Sequence, residues 1–428
     1  MTNLSANQLV AHSNLRNFFT TAKAGLYNAV HNFRKRFMLT AMLLANAALC
    51  FAIFKPYSHL PIPLSDIALT TGVLIFLCLA LCSTAIVGYV PGALKMQHDF
   101  ARIGYCNSAG ETPYLVKKEQ HGKVTLLTFY STGFPLSLWV DKQLQIESAL
   151  NLLIASIQEG NNRRTITLCC VPPDHAFNLI RWDNSYANRD KDNLLVLGRG
   201  LTDNIIINID KTPHILIGGN TGSGKTVLLQ CLLWQAILQA DVVYVADFKG
   251  GVDFNSKWER FVHVVTDEHQ LLALLDSLAD MLNSRKEILH QAGASNITEY
   301  RQKSKDYMQR IIFSCDEVAE LLDKTGADKE RKELLAKIEA RLSLIARQGR
   351  AFGIHLFLAT QRPDANILSG QIKNNLNIRI CGRADTTLST IIIGDGRAAE
   401  QIPSNSQGRF LMDDGTVFQA FYFDNKQI

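Results

Sequence analysis

Two long runs without a charged residue lie near the start of this 428-residue chain. The first run covers residues 37–54 and the second covers residues 67–94. A helix needs about 20 apolar residues to cross a hydrocarbon layer about 30 Å thick. We therefore predict a transmembrane helical hairpin over 37–94, with spans of about 37–54 and 67–90. A cleaved signal peptide would also explain the first run, but the second run follows at once, which favours the hairpin.

Positive charge flanks both runs. Residues 1–36 contain five Lys or Arg residues and no acidic residue, and Lys95 and Arg102 follow the second run. By the positive-inside rule both flanks are cytoplasmic. The sequence thus predicts a multi-pass protein of the cell membrane with both termini in the cytoplasm, in which 1–36 form a basic N-terminal arm. The net charge of the whole chain, +5, arises in this region and does not by itself indicate a nucleic-acid partner.

Two further segments follow the predicted hairpin. Residues 95–200 mix short β-like runs with one helical stretch, which is typical of a small α+β accessory domain. Residues 201–428 alternate continuous apolar runs with amphipathic helices, which predicts a parallel sheet covered on both faces. The fold class predicted for the whole chain is α/β. Nine cysteines without a C-x-x-C pair indicate neither a zinc site nor a disulfide framework.

A phosphate-binding loop is the most specific motif of the chain. Residues 219–226 match G-x-x-x-x-G-K-[ST], with an apolar run before them and a helical pattern after them. Backbone N–H groups of such a loop point at phosphate oxygens, the lysine neutralises them and the hydroxyl binds Mg²⁺. The predicted ATP-binding residues are Gly219, Asn220, Thr221, Gly222, Ser223, Gly224, Lys225 and Thr226.

Two later strand ends carry polar residues suited to hydrolysis. Asp316 and Glu317 end the apolar run IIFSC, and Gln361 follows the run IHLFLAT. We predict that Asp316, together with Thr226, holds Mg²⁺ and that Glu317 polarises the attacking water. Gln361 is a candidate for sensing the γ-phosphate.

These motifs resemble the FtsK/SpoIIIE family of DNA-translocating motors, within the HerA superfamily. The resemblance covers about residues 212–415 and includes PHILIGGNTGSGKTVLLQ, ADFKGG, IIFSCDEVAELL, GIHLFLATQRP and SQGRFLMDDG. It implies a RecA-like P-loop motor in 201–428 that works as a homo-hexameric ring. It also implies that Arg350, just before GIH, reaches the ATP site of a neighbouring subunit, with Arg347 as the second choice.

The DNA-facing positions of the family fall on Arg362 and Lys373, with Arg383 near a third. Independently, residues 341–383 contain seven Lys or Arg residues and one acidic residue, a net of +6. Such a local excess is typical of a phosphate-backbone footprint.

The resemblance implies a membrane-anchored, ATP-driven DNA translocase. The two spans, the single motor and the end of the chain soon after SQGRFLMDDG favour a coupling protein of Gram-positive conjugative elements, with a relaxase–DNA complex and channel proteins as partners. Two alternatives stay open: a protein-export ATPase of type VII-like secretion, and a chromosome-segregation pump without the DNA-orienting domain. A non-catalytic nucleotide-binding scaffold is disfavoured, because all the hydrolytic residues are in place.

Overall fold

The structure, a computed structural model, describes residues 6–59, 61–160, 162–173, 177, 179–188, 193–304, 306–361 and 369–428. The chain forms two compact units, which divide between His175 and Ala176. Each unit has its own sheet and its own hydrophobic core.

The first unit begins with long helices. Its helices are α1 (Ala6–His31), α2 (Phe33–Phe54), α3 (Leu64–Gly88), α4 (Ala93–Arg102), α5 (Leu136–Asp141) and α6 (Gln143–Leu150). Among the described residues, two helical stretches are long and apolar enough to cross a membrane, Phe33–His59 and Leu64–Gly88. The Asn46 amide donates a hydrogen bond to the Ser83 hydroxyl at 2.9 Å, which links α2 to α3. The first unit therefore contains a pair of apolar helices where the hairpin is predicted.

A four-stranded antiparallel sheet completes the first unit. Its spatial order is β1-β2-β4-β3, with β1 (Tyr114–His121), β2 (Val124–Tyr130), β3 (Leu153–Glu159) and β4 (Thr165–Val171). The core under the sheet is aromatic: Phe100 of α4 packs edge to face against Phe129 and Trp139. The Trp139 indole donates to the Ser131 hydroxyl at 3.0 Å, which satisfies its one polar group inside the core.

The second unit contains a ten-stranded sheet. Its spatial order is β6-β5-β14-β13-β12-β7-β11-β10-β8-β9. The strands are β5 (Leu194–Arg199), β6 (Asn204–Asn208), β7 (Ile215–Gly218), β8 (Val242–Ala246), β9 (His263–Val265), β10 (Ile311–Cys315), β11 (Ile354–Thr360), β12 (Ile378–Cys381), β13 (Arg409–Met412) and β14 (Val417–Ala420). The six strands from β12 to β9 are parallel, whereas β13, β14, β5 and β6 pair antiparallel. The sheet therefore contains the predicted parallel strands, and four further strands extend it by antiparallel pairing at one edge.

Strands β5 and β6 belong to this sheet and not to the small module. The predicted accessory domain covers residues 95–200, but Gly198 and Arg199 pair with Ala420 and Gln419 of β14. A side chain at Gly198 would overlap the backbone of Gln419, so this pairing requires glycine. The motor therefore begins earlier in the chain than residue 201, where the sequence predicted its start.

Helices cover both faces of the large sheet. They are α7 (Lys225–Leu238), α8 (Glu268–Gln291), α9 (Ile297–Lys303), α10 (Val318–Leu321), α11 (Lys329–Gln348), α12 (Gly370–Lys373), α13 (Thr386–Ile393) and α14 (Arg397–Gln401). Helix α7 packs in one core with Ile215 and Ile217, while α8, α11 and α13 pack on the other face with Leu216. Alternating side chains of β7 therefore enter both cores, and its carboxyl end holds the loop described next.

Candidate nucleotide-binding and hydrolysis site

The loop from Gly219 to Gly224 joins β7 to α7 at the carboxyl edge of the parallel strands. Gly219, Gly222 and Gly224 have φ of 147°, 76° and 100°, conformations that favour glycine. A Cβ at Gly219 would lie 2.7 Å from the Ser223 hydroxyl oxygen, so the loop also needs glycine for space. Because α7 starts directly after this loop, its N-terminal N–H groups and dipole favour a bound phosphate.

Two buried polar side chains of the loop suit a phosphate ligand. The Lys225 ammonium donates to the Gly219 carbonyl oxygen at 2.6 Å and to the Asn220 carbonyl oxygen at 3.3 Å. Burial lowers the pKa of Lys225, while Asp316 and Glu317 oppose that shift. The Ser223 hydroxyl is buried and has no hydrogen-bond partner among the described residues. The loop thus offers a buried cation and an unsatisfied hydroxyl beside curled N–H groups.

Thr226 and Asp316 meet at the entrance of α7, as the magnesium prediction requires. The Thr226 hydroxyl donates to Asp316 Oδ1 at 2.9 Å. Asp316 follows β10 and is 4% exposed. A hydroxyl, one carboxylate and phosphate oxygens are ligands that Mg²⁺ takes in nucleotide sites, where it keeps several waters. These residues therefore fit a magnesium ion.

Lys249, which belongs to the segment ADFKGG, pairs with the carboxylate of Asp316. Its ammonium lies 2.5 Å from Asp316 Oδ2 and 3.5 Å from Asp253 Oδ2. Burial opposes the charge of Lys249, but the hydrogen bond and attraction of Asp316 outweigh it and raise the Lys249 pKa. A lysine shortly after the apolar strand β8 was the available signal, but the sequence did not reveal its partner.

Glu317 is held at the end of the neighbouring strand β11. Its carboxylate accepts hydrogen bonds from the Thr360 hydroxyl at 2.8 Å and from the Gln361 backbone N–H at 3.0 Å. Glu317 is 8% exposed, and burial raises its pKa although both hydrogen bonds lower it. The carboxyl group is therefore fixed beside the phosphate loop and is a stronger base than a solvated glutamate.

Gln361 links Glu317 to the loop, because its backbone N–H donates to Glu317 and its side chain accepts from Thr221. The Thr221 hydroxyl donates to Gln361 Oε1 at 2.6 Å. Gln361 follows β11, and β11 lies between β7 and β10 in the sheet. The structure thus brings together the loop, Asp316, Glu317 and Gln361 from three adjacent strand ends.

Arg383 lies at the phosphate loop after β12, whereas Lys373 ends α12 before that strand. Its guanidinium donates to the carbonyl oxygens of Thr221 and Ser404 at 2.8 and 2.7 Å. The Arg383 carbonyl in turn accepts the Asn220 N–H at 2.7 Å. Because β12 is the neighbour of β7, the residue after β12 reaches the loop after β7. Arg383 therefore supports the nucleotide loop.

Arg350 lies at the opposite edge of the sheet. It precedes β11, whereas Gln361 follows that strand, and seven strand residues span about 20 Å. Its side chain is exposed, and its Nε donates to the Asp210 carbonyl oxygen at 3.2 Å. Arg350 is therefore too far away to contact a nucleotide in the loop of its own chain.

The described basic residues of 341–383 do not form one surface. Arg341 pairs with Asp276 at 2.5 Å, and Arg379 donates to the Lys373 carbonyl oxygen at 2.9 Å. Lys373 ends α12 before β12, whereas Arg383 follows β12. Arg362 lies outside the described residues. The net +6 of this segment is therefore distributed over several elements.

Known proteins match both the motor and most of the chain. The model of the FtsK/SpoIIIE family matches residues 179–365. The DNA translocase FtsK of Chlorobaculum tepidum is 30% identical over 225 residues, which cover 49% of this chain and 27% of the relative. The DNA translocase FtsK of Sporosarcina ureae is 29% identical over 253 residues, with 52% and 31% covered. The chain spans about a third of the length of these curated relatives.

A solved structure extends the match. The pCW3 conjugation coupling protein TcpA, solved as a monomer form with ATPgS, is 36% identical and superposes with a TM-score of 0.58. The match covers 77% of this chain and 94% of the TcpA chain. The chain therefore belongs to the FtsK/SpoIIIE family. It has the phosphate loop, the acidic pair and the mixed sheet described above.

Proposed function

We propose that this chain is a membrane-anchored ATPase that moves DNA, acting as a coupling protein that delivers DNA to a conjugative channel. One observation carries the proposal: Lys225, Thr226, Asp316, Glu317 and Gln361 converge at one edge of the sheet. The extensive similarity to TcpA, a conjugation coupling protein solved with ATPgS, supports the conjugative assignment.

The geometry gives each residue a step in hydrolysis. The loop N–H groups and Lys225 bind and orient the triphosphate, and Thr226 with Asp316 would hold Mg²⁺. Bound Mg²⁺ neutralises charge that develops on the phosphate oxygens. Glu317, which Thr360 and Gln361 hold beside the loop, accepts a proton from the attacking water. Gln361, which contacts Thr221, senses whether the γ-phosphate is present and transmits this state to the end of β11.

The distant position of Arg350 supports a ring. A guanidinium stabilises the transferred phosphoryl group only by direct approach. Since Arg350 cannot reach its own loop, it acts on the nucleotide of a neighbouring copy. A homo-hexameric ring with an interfacial site at each junction satisfies this requirement.

The proposed anchor consists of α2 and α3 as a membrane hairpin. Lys and Arg residues flank both helices, so both termini lie in the cytoplasm by the positive-inside rule. The DNA contacts we propose are Lys373 and Arg362, which bind the phosphate backbone as the ring turns over ATP. A relaxase–DNA complex and channel proteins are the partners expected of this activity.

The decisive measurement is the rate of ATP hydrolysis by the detergent-solubilised full chain, with and without duplex DNA. We expect stimulation by DNA. Lys225→Ala removes the phosphate cation and should lower the rate at least 100-fold, with weakened nucleotide binding. Glu317→Gln should lower the rate as much but retain nucleotide, because only the base is lost.

Exposed residues outside the site provide control variants for these two substitutions. Glu320→Gln in α10 and Lys211→Ala before β7 make the same changes outside the site and should retain wild-type rates. Full turnover in Glu317→Gln would refute the assigned base. If the chain hydrolyses ATP but DNA does not stimulate the rate, the result would favour the alternative of a protein-export ATPase.

A further inference from the structure

The small residues of helix α1 face inward. Thr21, Ala22 and Ala29 are 6%, 3% and 7% exposed, and Gly25 lies between them on the same face. A side chain at Gly25 would overlap the Thr84 carbonyl oxygen of α3, and one at Gly88 would overlap the Thr21 carbonyl oxygen. Helices that cross this closely on small residues are typical of packing within a membrane.

The large apolar residues of α1 face outward. Phe19, Leu26, Tyr27 and Val30 are 57%, 55%, 63% and 68% exposed, and they recur at the spacing of one helix face. We call them the outer face of α1. In a helix surrounded by water, this order would be reversed, with the large residues inside. The outer face therefore suits an apolar environment.

Cations accompany the outer face. Lys23 lies on the same side and is exposed, and Arg34 and Arg36 are exposed at the start of α2. Residues 6–59 contain no Asp or Glu. Aromatic and aliphatic residues mixed with Lys and Arg, without acids, are typical of helices that lie at anionic bilayer surfaces.

The position of α1 identifies the membrane as the partner. Helix α1 packs against α3, and only Asn32 separates it from α2. The exposed apolar surface continues from Val30 to Phe33 and Phe37 of α2, which are 73% and 69% exposed. The outer face is thus followed in the chain, across Asn32, by the exposed apolar residues of the proposed hairpin.

We propose that α1 is an interfacial membrane helix, whose outer face lies in the cytoplasmic headgroup region and whose cations bind anionic phospholipid. The inference depends on the membrane hairpin of the proposed function. It assigns to α1, within the predicted basic N-terminal arm of residues 1–36, the role of holding the first unit at the bilayer surface.

Tryptophan quenching by brominated lipid tests the depth of the outer face. The full chain is reconstituted in phosphatidylcholine vesicles with phosphatidylglycerol, and Tyr27→Trp is compared with Leu74→Trp in α3 and Tyr307→Trp in the second unit. Fluorescence of the four native tryptophans is subtracted. We expect lipid brominated near the headgroup to quench Trp at position 27 at least twofold. Lipid brominated deep in the chain should quench position 74 most, and neither lipid should quench position 307.

The outcomes separate the two proposals. Quenching at position 74 with none at position 27 would overturn the interfacial helix but leave the hairpin intact, and no quenching at either position would overturn both. If position 27 is shielded from lipid and from aqueous acrylamide alike, a second copy or a protein covers the outer face, and the inference is wrong. Val30→Trp repeats the test if Tyr27→Trp does not fold.

Replacing Lys23, Arg34 and Arg36 by Gln should remove the dependence of quenching on phosphatidylglycerol, and an unchanged dependence would contradict the lipid-binding role of these cations.

Discussion

Both carboxylate oxygens of Asp316 have partners within the chain. Oδ1 accepts the Thr226 hydroxyl at 2.9 Å, and Oδ2 lies 2.5 Å from the Lys249 ammonium. A magnesium ion that uses Asp316 must therefore compete with a lysine of the same chain. Asp253, 3.5 Å from Lys249, offers a second carboxylate to which the ammonium can move.

Replacing Lys249 should therefore strengthen metal binding. We expect Lys249→Met to lower the Mn²⁺ concentration for half-saturation in the presence of ATP about fivefold, since the competing charge is gone and the pair is only partly buried. Electron paramagnetic resonance of free Mn²⁺ measures this directly. Lys211→Met, an exposed lysine outside the site, serves as the control. Weaker Mn²⁺ binding in Lys249→Met would mean that the lysine supports the metal site.

The residues of the site differ in how far the sequence can predict them. Gly219–Thr226 lie in one continuous segment, so the spacing alone indicates the loop. The contacts of Lys249 and Arg383 depend instead on which strands are neighbours: β8 beside β10, and β12 beside β7. A pattern of apolar runs predicts strands but not their order, which long-range packing determines.

At the scale of elements, β7 and β11 are joined at their amino ends by two buried histidines. His214 Nδ1 accepts the Leu356 N–H at 2.9 Å, and His355 Nδ1 lies 3.0 Å from the Pro213 carbonyl oxygen. The histidines are 1% and 0% exposed. Burial lowers the pKa of His214 to about 3 and that of His355 to about 4. Both are therefore neutral in the folded chain at physiological pH.

These histidines should destabilise the second unit in mild acid. In the unfolded chain both protonate near pH 6.5, whereas the folded chain keeps them neutral, so stability falls as pH decreases from about 6.5 toward 4. Going from pH 7.5 to 5.5 should cost about 1.4 kcal/mol for each histidine. Denaturant unfolding followed by tryptophan fluorescence measures the slope.

The double variant His214→Gln/His355→Gln should flatten this slope between pH 6.5 and 5, even if its absolute stability is lower. His269→Gln changes an exposed histidine in α8 and should retain the wild-type slope. An equal slope in the double variant would assign the acid sensitivity to other groups.

Elements also show why the domain boundary was misplaced. Strands β5 and β6 are short apolar runs, LLVLGR and NIIIN, and nothing in these runs says which of the two sheets they join. Their assignment depends on β14, more than two hundred residues later in the chain, which pairs with Gly198 and Arg199. Pairing over that separation is a property of the fold and leaves no periodic signal near residue 200.

At the scale of the whole molecule, charge must be considered unit by unit. The basic excess of the chain lies before residue 110, where it accompanies the apolar helices. The second local excess, in 341–383, is divided between an ion pair on α11, the support of the phosphate loop by Arg383, and Arg350 at the amino edge. The composition of a segment therefore shows how much charge is present, but only the fold shows which charges can meet DNA or a neighbouring copy.

The position of Arg350 leads to a prediction for mixed rings. Arg350→Ala and Lys225→Ala should each abolish ATP hydrolysis in rings of one variant. In co-assembled rings, an Arg350→Ala chain keeps an intact loop, and a neighbouring Lys225→Ala chain supplies the missing guanidinium. With random 1:1 assembly about a quarter of the sites regain both parts, so hydrolysis should return to roughly that fraction of wild type.

Rings assembled separately and mixed without exchange provide the control and should stay inactive. The same experiment with Arg347→Ala distinguishes the two candidate arginines, because Arg347 is also exposed, on the last turn of α11. If co-assembled Arg350→Ala and Lys225→Ala chains stay inactive while Arg347→Ala shows the rescue, Arg347 is the arginine that crosses the interface. If neither variant is rescued, the ATP site is complete within one chain, and the interfacial ring mechanism is wrong.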